Sequence, residues 1–149
     1  MNKDNFNSVR NAFDFTLCPI LAAYVGQSLS KEFKNHWWQE GVIDVLYDYQ
    51  KIDLPLSGTY EELIDKLDIK LCLLLMDIHW KDIFIEKLPK SYYNWIKEMT
   101  VVRNQCSHNE VDKFDDFYTA RAFDTMSRLC DYFNYRSVHA KKTASRQPC

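Results

Sequence analysis

Residues 68–78 of the 149-residue chain read DIKLCLLLMDI, and this stretch decides the fold. Asp68 is a residue type that starts helices, because its carboxylate can accept a hydrogen bond from a free backbone N–H of the first turn. The run at residues 71–76 is apolar all round, and a helix segment without a polar face normally lies in the middle of a bundle. We therefore predict a central helix here. Its expected core positions are Leu71, Leu74, Leu75 and Ile78.

The segments on either side of this helix also show helical spacing. Apolar residues recur three and four positions apart, and no β-branched run bounded by turn residues occurs, so we predict an all-α fold. Pro19 is expected to kink the first helix or to open a second one over residues 20–33. Residues 38–49 form a weaker helical stretch, and residues 53–58 interrupt the pattern as a loop. The first helix is expected to share one face among Phe6, Val9, Arg10, Phe13 and Leu17.

Polar residues mark the starts of three further helices. Thr59, with Glu62 three residues later, has the form of a capping box. Ser91 and Asp115 are expected to be the N-caps of the last two helices. Residues 80–88 are expected to form a short helix before Ser91. The inner positions of the last helix are predicted to be Tyr118, Ala122, Met126, Leu129 and Phe133.

The composition indicates one domain. A chain of 149 residues with 46% hydrophobic residues has the length and the apolar surface for a single core. Its three glycines are too few for a dinucleotide fingerprint or a P-loop, which excludes nucleotide enzymes of those types. Residues 1–136 are expected to form the helical domain. Residues 137–149 are basic and lack a period, so we expect them to form a disordered tail.

Charge and cysteine content limit the partners. The chain has 19 basic and 21 acidic residues, a net charge of −2, so any contact with nucleic acid must be local. Five widely spaced cysteines without a C-x-x-C pair are typical of reduced thiols in a cytoplasmic protein and predict no metal site. The longest apolar runs, at residues 17–25 and 71–76, are too short to span a bilayer. We therefore expect a cytoplasmic protein without a membrane partner.

Arg103 occupies an unusual position on the helix that starts near Tyr92. At 100° per residue, an apolar stripe on this helix contains Tyr92, Ile96, Met99 and Cys106, and Arg103 lies in its middle. A buried unpaired charge is very costly, so this arginine needs a carboxylate, a set of carbonyl groups or a water-filled cleft. The stripe fits two interpretations: a structural ion pair inside the bundle, or an arginine that faces a phosphate at the floor of a groove.

His108 follows five residues after Arg103, and on an unbroken helix it points roughly 140° away. Asn104 lies near His108, one helical turn before it. Arg103 and His108 therefore converge only if the helix ends or distorts at Ser107, or if two copies of the chain share the site about a two-fold axis. By spacing alone, a single histidine near a helix end is also compatible with a C-terminal cap or a solvated side chain.

Residues 103–108, RNQCSH, resemble the R-N-x-x-x-H signature of the HEPN superfamily, the higher eukaryote and prokaryote nucleotide-binding domains. Other segments resemble the Swt-type branch of that superfamily. Residues 117–126, FYTARAFDTM, are similar to its last helix, residues 67–80 to its central helix, and the Pro19 bend with the Trp37–Trp38 pair to its opening. The similarity touches most of residues 5–134. Two positions depart from the branch: Cys106 replaces a larger, often aromatic residue, and Ser107 replaces a small apolar one.

The resemblance implies an all-α HEPN-like bundle of about five to seven helices that dimerises through the helices carrying the motif. It also implies a metal-independent endoribonuclease without a cofactor, with RNA as substrate and Arg103, Asn104 and His108 as catalytic residues. His108 would transfer protons, Arg103 would stabilise the transition-state charge, and Asn104 would orient one of them or the phosphate. The products would carry 2′,3′-cyclic phosphate and 5′-hydroxyl ends.

Two other functions remain open at this point. One is a non-catalytic HEPN module that dimerises or attaches to a larger defence or RNA-processing system, such as a fused ATPase or nuclease. The acidic body of the chain favours this alternative. The other is a small helical protein that binds a nucleotide without cleaving RNA. A nuclease in a defence or toxin–antitoxin context would also need an inhibitor protein as partner.

Overall fold

The computed structural model of the protein describes residues 1–145, with side chains for residues 1–134. Within that part of the chain it contains six α-helices, joined by short 3₁₀ and π turns, and no strand. The helices are α1 (Asn2–Ala12), α2 (Cys18–Phe33), α3 (Tyr60–Ile64), α4 (Ile69–Ile78), α5 (Lys90–Ser107) and α6 (Asp116–Ser145). The predicted all-α bundle of five to seven helices is confirmed.

The first two helices meet at the predicted proline. A π-helical turn, Phe13–Leu17, connects α1 to α2, and Pro19 lies in the first turn of α2. Proline has no backbone N–H, so it is best tolerated at a helix start. The wide π turn before Pro19 accommodates the backbone hydrogen bond that the proline cannot donate. The prediction that Pro19 opens a second helix is correct. α2 ends at Phe33, as predicted.

One helical stretch, Asn2–His36, is long and apolar enough to cross a membrane by length and composition alone. Sequence analysis missed it because Pro19 divided the run into two shorter pieces. The core helix of a soluble protein satisfies the same criterion, and 44% of the apolar window is buried inside the fold. Val9, Leu17 and Leu21 on this stretch are fully buried, so it forms one wall of the core.

The central position of α4 is confirmed, but one of its predicted core residues is wrong. α4 packs against α2 and α5, and it buries Ile69, Leu71, Cys72, Leu73, Leu75 and Met76. Leu74 is only half-buried, and Ile78 is 37% exposed. A segment that is apolar all round carries no periodic signal about which face is outermost. The packing of the neighbouring helices alone decides that Ile78 faces solvent.

Three predicted helix starts are confirmed. At each of them the side chain of the N-cap residue accepts a hydrogen bond from the backbone N–H three residues later. Thr59 accepts a hydrogen bond from the N–H of Glu62 at 3.2 Å, and the Glu62 carboxylate is bonded to the Thr59 hydroxyl in turn. Asp68 accepts from the N–H of Leu71 at 2.8 Å. Asp115 accepts from the N–H of Tyr118, also at 2.8 Å. These three caps fix where α3, α4 and α6 begin.

The predicted cap at Ser91 is wrong. α5 begins at Lys90, and Pro89 takes the N-cap position with an extended backbone and no side-chain cap bond. Because proline fixes its own φ near the helical value and restricts the residue before it, the helix starts directly after Pro89. Ser91 therefore already lies inside the first turn.

Two weaker helix predictions hold only in part. Residues 80–88 form a series of single turns, one of which is the 3₁₀ turn Phe84–Glu86. Their backbone hydrogen bonds do not continue in the regular pattern of an α-helix. Residues 38–49 contain a π turn, Gln39–Ile43, and a 3₁₀ turn, Asp48–Gln50. The predicted loop at residues 53–58 is present.

The last helix runs to Ser145, past residue 136 where we expect the tail to begin. Its inner positions Ala122, Met126, Leu129 and Phe133 are buried as predicted, and Tyr118 is half-buried. The last four residues, 146–149, lie outside the described part of the chain. The division into a domain at 1–136 and a tail at 137–149 stays a prediction.

Polar bonds attach α5 to the helices on both sides. Asp77 on α4 accepts hydrogen bonds from the Tyr93 hydroxyl at 2.9 Å and from Lys97 Nζ at 2.7 Å. On the other side, Glu98 accepts from Arg121 Nε at 2.8 Å and from Thr125 Oγ1 at 3.1 Å. α5 is therefore held between α4 and α6, which fixes the rotation of the helix that carries Arg103.

Candidate functional site

The C-terminus of α5 has a defined geometry. The N–H of Glu110 donates to the carbonyl of Gln105 at 3.0 Å, and the N–H of Asn109 donates to that of Cys106 at 3.2 Å. Asn109 has a φ of 54°, in the left-handed region. This pair of bonds with a left-handed residue is a Schellman motif, which ends α5 at Ser107 and makes His108 its C-cap. The helix end at Ser107 is therefore observed. It was one of the two conditions under which Arg103 and His108 could converge.

Arg103 lies on the apolar side of α5 as predicted. Ile96, Met99 and Cys106 are buried, and Arg103 itself is half-buried among them. In the described part of the chain the guanidinium of Arg103 makes no hydrogen bond and no ion pair. The structural ion pair, which was one of the two interpretations, is not observed among the side chains of residues 1–134. Arg103 instead borders a cleft.

This cleft is a cavity of about 360 Å³ between the start of the chain, the start of α4 and the end of α5. Ligand sites in proteins typically have volumes of about 300 Å³ and above, so the cleft is large enough for a small anionic group with its water. Apolar side chains of Phe13, Ile69 and Cys106 form part of its wall. Its polar lining consists of Arg10, Asp14, Asp68, Arg103, Ser107 and Asn109. We call this the Arg103 cleft.

The charges of the Arg103 cleft balance formally but are not paired. It contains two arginines and two aspartates, and among the described residues no ion pair within 4.0 Å joins any of them. Arg10 places its guanidinium 5.6 Å from the centre of the Phe6 ring, and Asp68 is engaged as the cap of α4. Both guanidinium groups therefore keep their hydrogen-bond donors free for an anion.

Cys106 connects the two arginines electrostatically. Burial raises the pKa of the Cys106 thiol to about 11, and the positive charges of Arg10 and Arg103 oppose this increase. Both arginines thus act on the same buried sulfur although Arg10 lies on α1 and Arg103 on α5. At neutral pH the thiol stays protonated and serves as an apolar part of the cleft wall.

Asn104 and His108 do not line the Arg103 cleft. Both are exposed, and with Lys97 and Val101 they form the outward side of α5, which we call the outer face. Val101 in its middle is 55% exposed. Within one copy of the chain, the structure therefore brings Asn104 and His108 onto one face, and it does not bring His108 together with Arg103.

Sequence analysis missed four residues of the cleft. Arg10 had a usable signal, since it shares a helix face with the buried Phe6, Val9 and Phe13, as Arg103 does on α5. Asp68 was recognised only as a helix cap. Asp14 and Asn109 carried no signal, because nothing in the local sequence shows that they border the same space as Arg103.

The comparison with protein families decides the relationship. The family model described as Swt1-like HEPN matches residues 12–134. The chain belongs to this family. Arg103, Asn104 and His108 all lie inside the matched region of the HEPN domain, whereas Arg10 precedes it. The resemblance that the motif and its flanking segments indicated is thus confirmed at the level of the family.

Two further searches add no relative to the HEPN match. A search of the curated proteins finds no match, and neither does a search of the solved structures. Among the described residues of this HEPN chain, no three His, Cys, Asp or Glu side chains cluster as metal ligands would.

Proposed function

We propose that the chain is a metal-independent endoribonuclease. It cleaves RNA by attack of a ribose 2′-hydroxyl and leaves 2′,3′-cyclic phosphate and 5′-hydroxyl ends. The observation that carries this proposal is the guanidinium of Arg103, which has no partner among the described side chains and borders a cleft of about 360 Å³ with a second guanidinium, Arg10, in the same wall. A protein that keeps two arginines without carboxylate partners next to an open space has a ready place for a phosphodiester.

The residue types in and near the cleft fit this reaction. Arg103 supplies two N–H donors and a permanent positive charge for the negative charge that develops on the phosphorus oxygens. His108 is exposed, and an imidazole can both accept and donate a proton, so it serves as the base for the 2′-hydroxyl or as the acid for the 5′-oxygen. Asn104, one turn before His108 on the outer face, orients the imidazole or the phosphate.

The proposal requires a second copy of the chain, because His108 and Arg103 face different directions in one copy. A two-fold pairing through the outer face of α5 would cover Val101, an apolar side chain that is 55% exposed on the outside of the protein. It would also bring the His108 of one copy towards the Arg103 of the other. Mixing inactive Arg103→Ala protein with inactive His108→Ala protein then restores cleavage, since each mixed dimer has one intact pair.

The direct test uses a short end-labelled RNA in buffer with EDTA. Wild-type protein is expected to cleave it, and an RNA with a single 2′-deoxyribose at the cleavage position is expected to stay intact there. Arg103→Ala and His108→Ala should each reduce the rate by about 100-fold or more. Arg128→Ala and His36→Ala are matched controls that change an exposed arginine and an exposed histidine elsewhere. Cleavage that survives both Arg103→Ala and His108→Ala would discard the proposal.

A second candidate function is a non-catalytic HEPN interaction module. The observation in its favour is the presence of Asp14 and Asp68 in the wall of the cleft, since two carboxylates repel a phosphate. Under this alternative Arg103 binds a carboxylate of a partner protein. The purified chain would then form a stable dimer or complex, and it would leave both the RNA and its deoxy-substituted control uncut.

A further inference from the structure

Two cysteines that are far apart in the sequence share one hydrogen-bond acceptor. The Sγ of Cys18, at the first residue of α2, lies 3.3 Å from the carbonyl oxygen of Leu67, and the Sγ of Cys72 on α4 lies 3.9 Å from the same atom. The two side chains also act on each other, because hydrogen bonding between them lowers the pKa of the Cys18 thiol and raises that of the Cys72 thiol. Sequence analysis found no such pair, because 54 positions separate the two cysteines and no short motif contains both.

The two thiols differ in exposure and in pKa, as do the two cysteines of a redox pair in which one thiol attacks the oxidant and the other then closes the disulfide. Cys18 is half-buried, and the hydrogen bond from Cys72 lowers its pKa. Cys72 is fully buried, and the pKa of its thiol is raised by the same hydrogen bond and by burial. Cys18 therefore holds more thiolate than an ordinary cysteine at the same pH, and it is the one that solvent reaches. Cys72 is buried and keeps its proton.

The other two cysteines in the described part of the chain, Cys106 and Cys130, lack this arrangement. Cys106 is buried with a raised pKa, and Cys130 on α6 is half-buried with a pKa that burial raises. Neither has a hydrogen bond to another thiol in the described part of the chain. Cys130, which matches Cys18 in exposure, is therefore a suitable control.

We propose that Cys18 and Cys72 form a peroxide-oxidisable dithiol, a modification site that closes to a disulfide between α2 and α4. The Cys18 thiol first releases its proton, and the thiolate attacks one oxygen of hydrogen peroxide, so that the O–O bond breaks and a sulfenic acid and hydroxide form. The hydroxide takes up the released proton and becomes water. The Cys72 sulfur then attacks the sulfur of that sulfenic acid, the S–O bond breaks, and a second water leaves. In total, two thiols give up two electrons and two protons, and one peroxide becomes two waters.

The dithiol lies behind the wall of the Arg103 cleft. Asp14 and Asp68, which line that cleft, each precede one of the two cysteines by four residues, so each aspartate shares a helix side with the cysteine that follows it. The negative charges of Asp68 and Asp14 act to raise the pKa of the Cys18 thiol, and that of Asp68 also acts to raise the pKa of Cys72.

The experiment is a redox titration of the full chain. Reduced protein is treated with hydrogen peroxide, quenched, alkylated and digested with trypsin without reductant. We expect loss of two of the five alkylatable thiols. We also expect one disulfide-linked pair of peptides, residues 11–31 and residues 71–81, that dithiothreitol separates. The readout does not depend on RNA cleavage, so it stays valid if the proposed nuclease function fails.

Variants make the assignment specific. Cys18→Ser should abolish the linked peptide. Cys130→Ser should leave the linked peptide unchanged. Cys72→Ala should leave Cys18 with no internal partner, so that its sulfenic acid accumulates and a dimedone-type probe traps it. Oxidation of Cys18 to a sulfinic acid in the wild type, or a linked peptide that contains Cys130 instead of Cys72, would overturn the proposal.

Discussion

The N–H of Asn109 donates a hydrogen bond to the carbonyl oxygen of Cys106, 3.2 Å away, and this bond determines where α5 ends. It requires the φ of 54° that Asn109 adopts. Because the helix stops there, His108 becomes an exposed C-cap. Its neighbour Asn109 turns into the wall of the Arg103 cleft. The position of the predicted catalytic histidine therefore depends on a backbone conformation one residue after it.

We first predict the effect of replacing Asn109. Asn109→Val should lower the free energy of unfolding by about 1–2 kcal/mol, since a β-branched residue tolerates positive φ poorly. Asn109→Gly, which adopts this φ freely, should stay within about 0.5 kcal/mol of the wild type. Urea denaturation followed by circular dichroism measures both. Equal stability of the two variants would show that the left-handed turn is not maintained in solution.

Replacing Arg103 should separate folding from activity. Because Arg103 makes no hydrogen bond or ion pair among the described residues, Arg103→Ala should change the free energy of unfolding by less than about 1 kcal/mol. RNA cleavage should nevertheless fall by about 100-fold or more. Parallel urea denaturation and cleavage assays test this. A strong loss of stability would indicate that Arg103 has a structural partner after all.

Asp68 offers a way to change the charge of the cleft without losing a helix cap. Asparagine caps helices as well as aspartate does, so Asp68→Asn should keep α4 intact and tighten RNA binding by about 2- to 5-fold at low salt. Asp68→Ala should cost about 1 kcal/mol of stability through the lost cap. Fluorescence anisotropy with a 2′-O-methyl RNA, which cannot be cleaved, measures the affinity. Asp82→Asn, an exposed aspartate elsewhere, serves as the control and should leave it unchanged.

Alkaline pH should destabilise the protein in part through Cys106. The pKa of this thiol is raised to about 11 in the folded state from an ordinary value of 9.0, so the folded state keeps a proton that the unfolded chain releases. The resulting contribution to stability is complete below pH 9 and is lost as the pH rises from 9 towards 11. Urea midpoints at pH 8 and pH 10 should therefore differ less in Cys106→Ala than in the wild type. The same decline in both proteins would contradict this.

The outer face of α5 should control the oligomeric state. Val101→Glu places a charge in the middle of this face, and we expect it to convert a dimer into a monomer and to abolish cleavage with it. Ile85→Glu is a matched control, since Ile85 is 53% exposed against 55% for Val101 and lies on a different element. Light scattering gives the mass in solution. A wild-type chain that is monomeric at all concentrations would remove the shared-site form of the proposal.

The helix starts show what could be predicted from the sequence. Thr59, Asp68 and Asp115 each bond a backbone N–H three residues away, so the information lies inside one helical turn and sequence analysis found all three. The predicted cap at Ser91 was wrong because Pro89 takes the N-cap position of the same helix. The backbone restriction of proline outweighs the hydrogen bond that the serine side chain could make. The prediction that Ile78 is a core residue was wrong, because the sequence of an apolar segment does not indicate which of its sides the neighbouring helices cover.

The amino-acid sequence by itself determined that the chain is helical, where most of its helices begin, that Arg103 lies on an apolar helix face, and which family the motif indicates. These properties depend on periodicity and on contacts within a few residues. Only the tertiary structure decided that Arg10 joins Arg103 in one cleft, that Cys18 meets Cys72, and that His108 faces away from both arginines. Such relationships depend on how whole helices pack and rotate against each other, and the spacing of residues along the chain carries no information about them.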